Sequence, residues 1–285
     1  MIGVFDSGLG GLTVLEALSR RFPSASFVYL GDHAHVPYGD RPSDEIVALT
    51  QAGTEALFNE GCRLVVLGCN TATAVAARQL QQEWLPGTRW RAEGCNVLGI
   101  VAPTVEAATQ TPWAVTTPQY PQKFLTDRIA VFGTTRTIAS GVYAEEILKR
   151  CPKVTVIQQV AAELAGAIED GAAENELDEL VKRAIDGVIE QAGGEQPHRA
   201  ILGCTHFPLV EHLFRRHLPP ATRILSQPEI VADSLEDYLS RHRRFVECGV
   251  EATEPRLLTT GDPVAINARA RIFWEAPLAF SRIEI

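Results

Sequence analysis

Residues 64–71 read Leu64-Val65-Val66-Leu67-Gly68-Cys69-Asn70-Thr71, and residues 200–206 repeat the device as Ala200-Ile201-Leu202-Gly203-Cys204-Thr205-His206. A short apolar run closed by glycine reads as a strand buried on both faces. The glycine lets the backbone turn sharply, and the polar residues behind each cysteine can open a helix. Each cysteine is therefore expected just past the carboxyl end of a strand. Similar runs stand at Ile2 to Phe5, Phe27 to Leu30, Val97 to Val101, Ile129 to Phe132 and Val154 to Ile157. Between them lie helical patterns, clearest where Leu177, Leu180, Val181, Ala184, Ile185, Val188 and Ile189 form one apolar stripe. Alternating strands and helices predict an α/β fold with parallel sheets covered on both faces, whose ligands sit beyond the strand ends. The stretch from Thr109 to Asp127, rich in Thr, Pro and Gln, reads as a loop separating two strand–helix regions.

The chain has 285 residues, of which 46 % are hydrophobic and 21 % charged, enough for one large or two medium globular cores. The first residues lack the pattern of a signal peptide, and no apolar run is long enough to span a bilayer, so a cytoplasmic protein without membrane contact is expected. The net charge of −9, with no cationic cluster, argues against nucleic-acid binding. Six cysteines, at 62, 69, 95, 151, 204 and 248, show no C-x-x-C spacing and are expected as reduced thiols.

Chemistry is expected at Cys69 and Cys204, because a helix start or a neighbouring cation favours the reactive thiolate. A lone cysteine is more often a small buried hydrophobe. The duplication of the Gly-Cys-polar-polar context favours chemistry for these two, while Cys62, Cys95, Cys151 and Cys248 lack it. The turn Asp6-Ser7-Gly8-Leu9-Gly10-Gly11 follows the first strand but lacks the last glycine of a dinucleotide fingerprint and the lysine of a phosphate loop. It reads either as a nest of backbone N–H groups for a carboxylate, with Asp6 facing a thiol or a substrate amine, or as a plain turn capped by Asp6 or Ser7. His206 reads as a proton partner for Cys204 or as half of a Cys-x-His metal pair, and the His33-x-His35 pair is the one place further ligands could come from. No metal is expected, because a convincing ligand set is missing. His33 and His35 read as residues of a polar loop, and His198, His212, His217 and His242 as surface residues.

These motifs, with Gly31-Asp32, Pro37-Tyr38-Gly39, Gly133-Thr134, Thr137 and Thr259-Thr260-Gly261-Asp262-Pro263, make the chain resemble the glutamate racemases of the aspartate/glutamate racemase superfamily, over nearly its whole length. The resemblance implies two flavodoxin-like parallel-sheet domains related by pseudo-twofold symmetry, one formed by residues 1–97 plus 209–285 and the other by 98–208, with the active site between them. It implies Cys69 and Cys204 as the catalytic thiols, assisted by Asp6 and His206. It places Ser7, Pro37, Tyr38, Gly39, Asn70, Thr71, Thr134, Thr137 and Thr205 in the substrate cradle, and Asp32 and Glu169 as acids near the site. The implied reaction turns L-glutamate into D-glutamate for peptidoglycan with no cofactor: one thiolate removes the α-proton and the opposite thiol returns one. A homodimer is implied as well; a contact with DNA gyrase, made by some members, has no support in this sequence. A racemase of aspartate or another amino acid with the same two-thiol chemistry, or a catalytically silent binding protein, are the competing readings. His33 and His35 stand where the family commonly has Thr and Arg, Arg136 where a small residue is usual, and the 109–127 loop is longer than the family norm. The first motif lies so near Met1 that an activator-binding N-terminal extension is expected to be missing.

Overall fold

The computed structural model describes residues 1–245, 254–274 and 278–285; Cys248 lies outside them. Among the described residues there are ten strands: β1 (Ile2–Asp6), β2 (Phe27–Gly31), β3 (Leu64–Leu67), β4 (Asn96–Gly99), β5 (Arg128–Gly133), β6 (Thr155–Val160), β7 (Arg199–Gly203), β8 (Arg223–Leu225), β9 (Arg256–Thr259) and β10 (Phe280–Arg282). They form a six-stranded sheet in the order β10-β9-β2-β1-β3-β4 and a four-stranded sheet in the order β6-β5-β7-β8. All pairings are parallel. Parallel strands covered by helices on both faces cannot alternate polar and apolar residues, which is why β1, β2, β3 and β7 are buried along their whole length.

The order β2-β1-β3-β4 recurs as β6-β5-β7-β8. In each lobe the chain runs outward from its first strand and then crosses back to the other side, which opens a crevice between the first and third strands at their carboxyl ends. Asp6 ends β1 and Cys69 follows β3, while Thr134 follows β5 and Cys204 follows β7. The register aligns these ends, pairing Phe5 with Leu67, Asp6 with Gly31 and Gly133 with Gly203. Both cysteines thus sit at the switch point of their own sheet.

The sheets do not divide where the sequence suggested. Residues 209–225 stay with the second lobe, because β8 pairs with β7, and the chain returns only at Ser226, ahead of the helix Gln227–Arg241. That helix packs on Leu12–Arg21 of the first lobe, where Arg21 meets Asp233 at 2.6 Å and Glu236 at 2.9 Å. The outward crossing falls after Gly99, since β4 ends there and Val101, read as strand, opens the helix Val101–Thr109. The stretch between that helix and β5 is irregular, as the sequence indicated, and the apolar stripe lies on Glu174–Gln191. One apolar cluster joins the lobes, running from Leu12, Leu15 and Tyr29 to Phe132, Phe207 and Phe214. Among the described residues, no helix is long and apolar enough to cross a membrane.

Candidate active site between the two lobes

Cys69 caps the helix Asn70–Gln79, its Sγ accepting from the Ala72 N–H at 3.4 Å, and Ser7 Oγ lies 3.4 Å from the same sulfur. Burial pushes this thiol up to about 12 and the Asp6 carboxylate adds to the rise, whereas the bonds from Ala72 and Ser7 pull the other way. Cys69 therefore rests as a thiol, able to give a proton.

The second thiol has different company. Cys204 Sγ lies 3.5 Å from His206 Nδ1, and His206 Nε2 lies 2.7 Å from Glu169 Oε1. Burial alone would lower the imidazole, but Cys204 and the Glu169 carboxylate outweigh it and hold His206 well above the ordinary histidine range. Burial works against the Glu169 carboxylate too, yet its bond to His206 brings it below its usual value. An imidazolium beside Cys204 is the cation that a thiolate needs. Both ring nitrogens of His206 are thus in contact with acid–base groups of the site.

Asp6 lies between the two thiol environments, accepting from the Gly8 N–H at 2.6 Å and from Thr205 Oγ1 at 3.4 Å. Burial raises its carboxyl from 3.8 to about 6, with His206 opposing the rise. A raised acid binds its proton more tightly in the folded state, so its stabilising contribution is complete at low pH and is lost as pH rises from 3.8 through about 6. The loss amounts to roughly 3 kcal/mol by linkage. Asp6→Asn is expected to remove that slope: urea titrations should show the stability of wild type relative to variant falling across this window. Parallel pH curves for the two proteins would refute the assignment.

Only glycine fits at position 10, where a Cβ would stand 2.4 Å from Thr205 Oγ1 and 2.6 Å from His206 Nδ1. The turn after β1 thus presses directly on the second lobe, and Thr13 Oγ1 reinforces it with a bond to the Thr205 carbonyl at 3.0 Å. Across the cleft, Thr71 Oγ1 lies 3.0 Å from Thr134 Oγ1 and 3.2 Å from Thr137 Oγ1, which joins three hydroxyls from both lobes. Gly39 sits against Thr134, while Pro37 is exposed just before it. Tyr38 is buried and donates to Asp32 Oδ2 at 2.7 Å; Thr260 Oγ1 and His35 Nδ1 share Asp32 Oδ1 at 2.7 and 2.8 Å. Asp32 is a fully enclosed anchor for that loop.

His33 departs from the polar-loop reading. Its Nδ1 contacts Thr259 Oγ1 at 2.8 Å, its ring meets Phe280 edge-on, and burial lowers it to about 4, so it is neutral. The two imidazoles of His33 and His35 turn to different partners and form no ligand pair. Arg136 lies between Thr134 and Thr137 in sequence, with a buried Nε that has no hydrogen-bond partner. Sequence reasoning missed Tyr29, whose hydroxyl holds the Gly8 carbonyl at 2.6 Å, and Gln227, Tyr143 and Thr104, which are bonded around Asn70. Nothing in their local sequence marks them. Of the two acids that the resemblance placed near the site, Glu169 is the one whose carboxylate touches His206.

Two parallel-sheet lobes, each with a buried thiol at its switch point and acid–base groups beside it, define an α/β protein built around paired thiols. The sequence pattern of the Asp/Glu/hydantoin racemases matches residues 12–233. The chain is 50 % identical over 281 residues to the glutamate racemase of Phenylobacterium zucineum and 49 % identical over 282 residues to that of a Caulobacter species, in each case covering 98 % of both chains. A crystal structure of a glutamate racemase isoform from Bacillus anthracis superposes with a TM-score of 0.82 at 27 % identity, over 100 % of this chain and 97 % of that one. The glutamate racemase from Thermus thermophilus, in complex with β-chloro-D-alanine, does so with 0.79 at 26 % identity, over 100 % and 96 %. The chain belongs to the Asp/Glu/hydantoin racemase family.

Proposed function

We propose that this protein interconverts L- and D-glutamate without a cofactor, using Cys69 and Cys204 as opposed acid–base thiols. The observation that carries the reading is the placement of one buried thiol at the switch point of each sheet, where the lobes meet. Inverting an α-carbon requires a proton to leave one face and another to arrive on the opposite face, and one base serves both faces poorly. The surroundings divide the labour at rest. Cys204, backed by His206 and Glu169, takes the base's part from its face, while Cys69, held protonated by burial and by Asp6, takes the acid's. After one turnover the roles are exchanged, and the reverse reaction restores them.

The carbanion formed in between needs donors already in place, in a site poor in water. Ser7, Asn70, Thr71, Thr134 and Thr205 supply neutral donors for carboxylate oxygens, and Asp6 stands ready for the substrate ammonium. The glutamate racemases at 50 % and 49 % identity support glutamate as substrate. In this reading D-glutamate feeds peptidoglycan synthesis in the cytoplasm and the protein is a homodimer, both on the strength of the family.

Incubation in deuterium oxide tests the proposal. Deuterium is expected at Cα of the product from either glutamate enantiomer, after exhaustive chelation and without added pyridoxal phosphate. Exchange with aspartate but not glutamate would overturn the substrate assignment, and dependence on a metal would overturn the mechanism.

A further inference from the structure

Asn70 follows Cys69 directly and is bonded into a buried cluster with Gln227, Tyr143 and Thr104. The donors and acceptors of this cluster can be assigned one by one. Thr104 gives its hydroxyl hydrogen to the Ile100 carbonyl at 2.7 Å, so toward Gln227 it can only accept, from Nε2 at 2.9 Å. That orients the Gln227 amide and turns Oε1 toward Asn70 Nδ2, 2.5 Å away. The same amide nitrogen lies 3.0 Å from the Tyr143 hydroxyl oxygen and 3.1 Å from Asn70 Oδ1. Tyr143 then donates to Asn70 Oδ1 at 2.7 Å. Asn70 is left with its oxygen fully occupied and with one of its two Nδ2 hydrogens uncommitted among the described residues.

The cluster also marks both chain crossings. Thr104 lies on the first helix after the chain leaves the six-stranded sheet, and Gln227 opens the first helix after it leaves the four-stranded one. Tyr143 belongs to the second-lobe helix Val142–Arg150. A change in the angle between the lobes must pass through these bonds.

We propose that Gln227 is a positioning residue: by fixing which way the Asn70 amide faces, it presents the free Nδ2–H of Asn70 to a substrate carboxylate and ties that donor to the closure of the lobes. The inference rests on Asn70 belonging to the glutamate cradle. Gln227→Met keeps the length of the side chain and removes its hydrogen bonds. It is expected to raise KM for glutamate about tenfold, the worth of one well-placed hydrogen bond, with kcat within about threefold of wild type. In an Asn70→Ala background the same change is expected to alter KM less than about twofold, because both substitutions act through one donor. A merely structural glutamine would lower the active fraction and add its effect in full to Asn70→Ala; that result, or an unchanged KM in the folded variant, overturns the proposal. If Gln227→Met does not fold, Tyr143→Phe, which removes one donor to Asn70 Oδ1 but leaves both bonds to Gln227, is expected to raise KM about threefold with kcat unchanged and to keep the protected Asn70 amide hydrogen; loss of that protection in a folded Tyr143→Phe would overturn the proposal. An NMR measurement separates this inference from the functional reading. The Asn70 side-chain amide should show one hydrogen protected from exchange in the substrate-free wild type, and the protection should vanish in Gln227→Met. A wild type inert toward glutamate, with that protection present and lost as stated, would refute the glutamate reading while sustaining the network; protection unchanged in the variant would refute the network.

Discussion

Cys69→Ala and Cys204→Ala are each expected to lower glutamate racemisation by at least about a thousandfold, because groups acting as one acid–base unit fail together when either is removed. Neither change should unfold the protein. Both thiols are small and buried at strand ends, and alanine leaves only a sulfur-sized space. The lost helix cap at Cys69 costs about 1 kcal/mol, within the reserve of an ordinary domain. Polarimetry or a coupled assay, together with thermal unfolding, measures both quantities. A folded variant that still racemises at an appreciable fraction of the wild-type rate would sink the two-thiol account and return Cys69 or Cys204 to the status of Cys62, another thiol that burial pushes up to about 12.

The serine variants should fail in opposite directions. A hydroxyl keeps the shape of the thiol but is a far weaker acid, so Cys69→Ser and Cys204→Ser are both expected to lose at least about a hundredfold in racemisation. A glutamate analogue with a leaving group beta to Cα needs abstraction from one face only. Each enantiomer should therefore be eliminated by whichever variant keeps the thiol on the side of its proton, which in the proposed reading is Cys69 for the D form and Cys204 for the L form. The unequal surroundings sharpen the expectation. Cys204 is backed by His206 and Glu169, Cys69 by Ser7 and Asp6. Glu169→Gln should accordingly slow elimination of the L analogue more than that of the D analogue. Equal losses for both enantiomers in both serine variants would count against two facing bases.

Much of this architecture was legible in the residues because parallel strands covered on both faces leave a strong local trace. Seven continuous apolar runs marked β1 to β7, and the Gly-Cys repeat marked two equivalent strand ends. The remaining three strands escaped notice for a local reason. β8 and β10 have three residues each, and only one residue in each is fully buried. β9 has four residues and begins exposed. The boundary that the resemblance implied at 209 stands at Ser226 in the structure, because β8 pairs with β7. The Gly99–Val101 crossing was misplaced because apolar strand and apolar helix start look alike over so few residues.

What the sequence determined by itself was therefore the kind of fold, the pair of thiols and the glycine turn beside them, all properties of segments a few residues long. Which groups serve each thiol was decided by tertiary structure. Glu169 reaches His206 across 37 positions, and Gln227 reaches Asn70 across 157. Asp32, motif-like and acidic, became a scaffold for Tyr38, because its oxygens are filled by protein donors. The physical reason is common to all three: what a buried polar side chain does depends on the partners that satisfy it, and packing the two lobes together brings those partners from far along the chain.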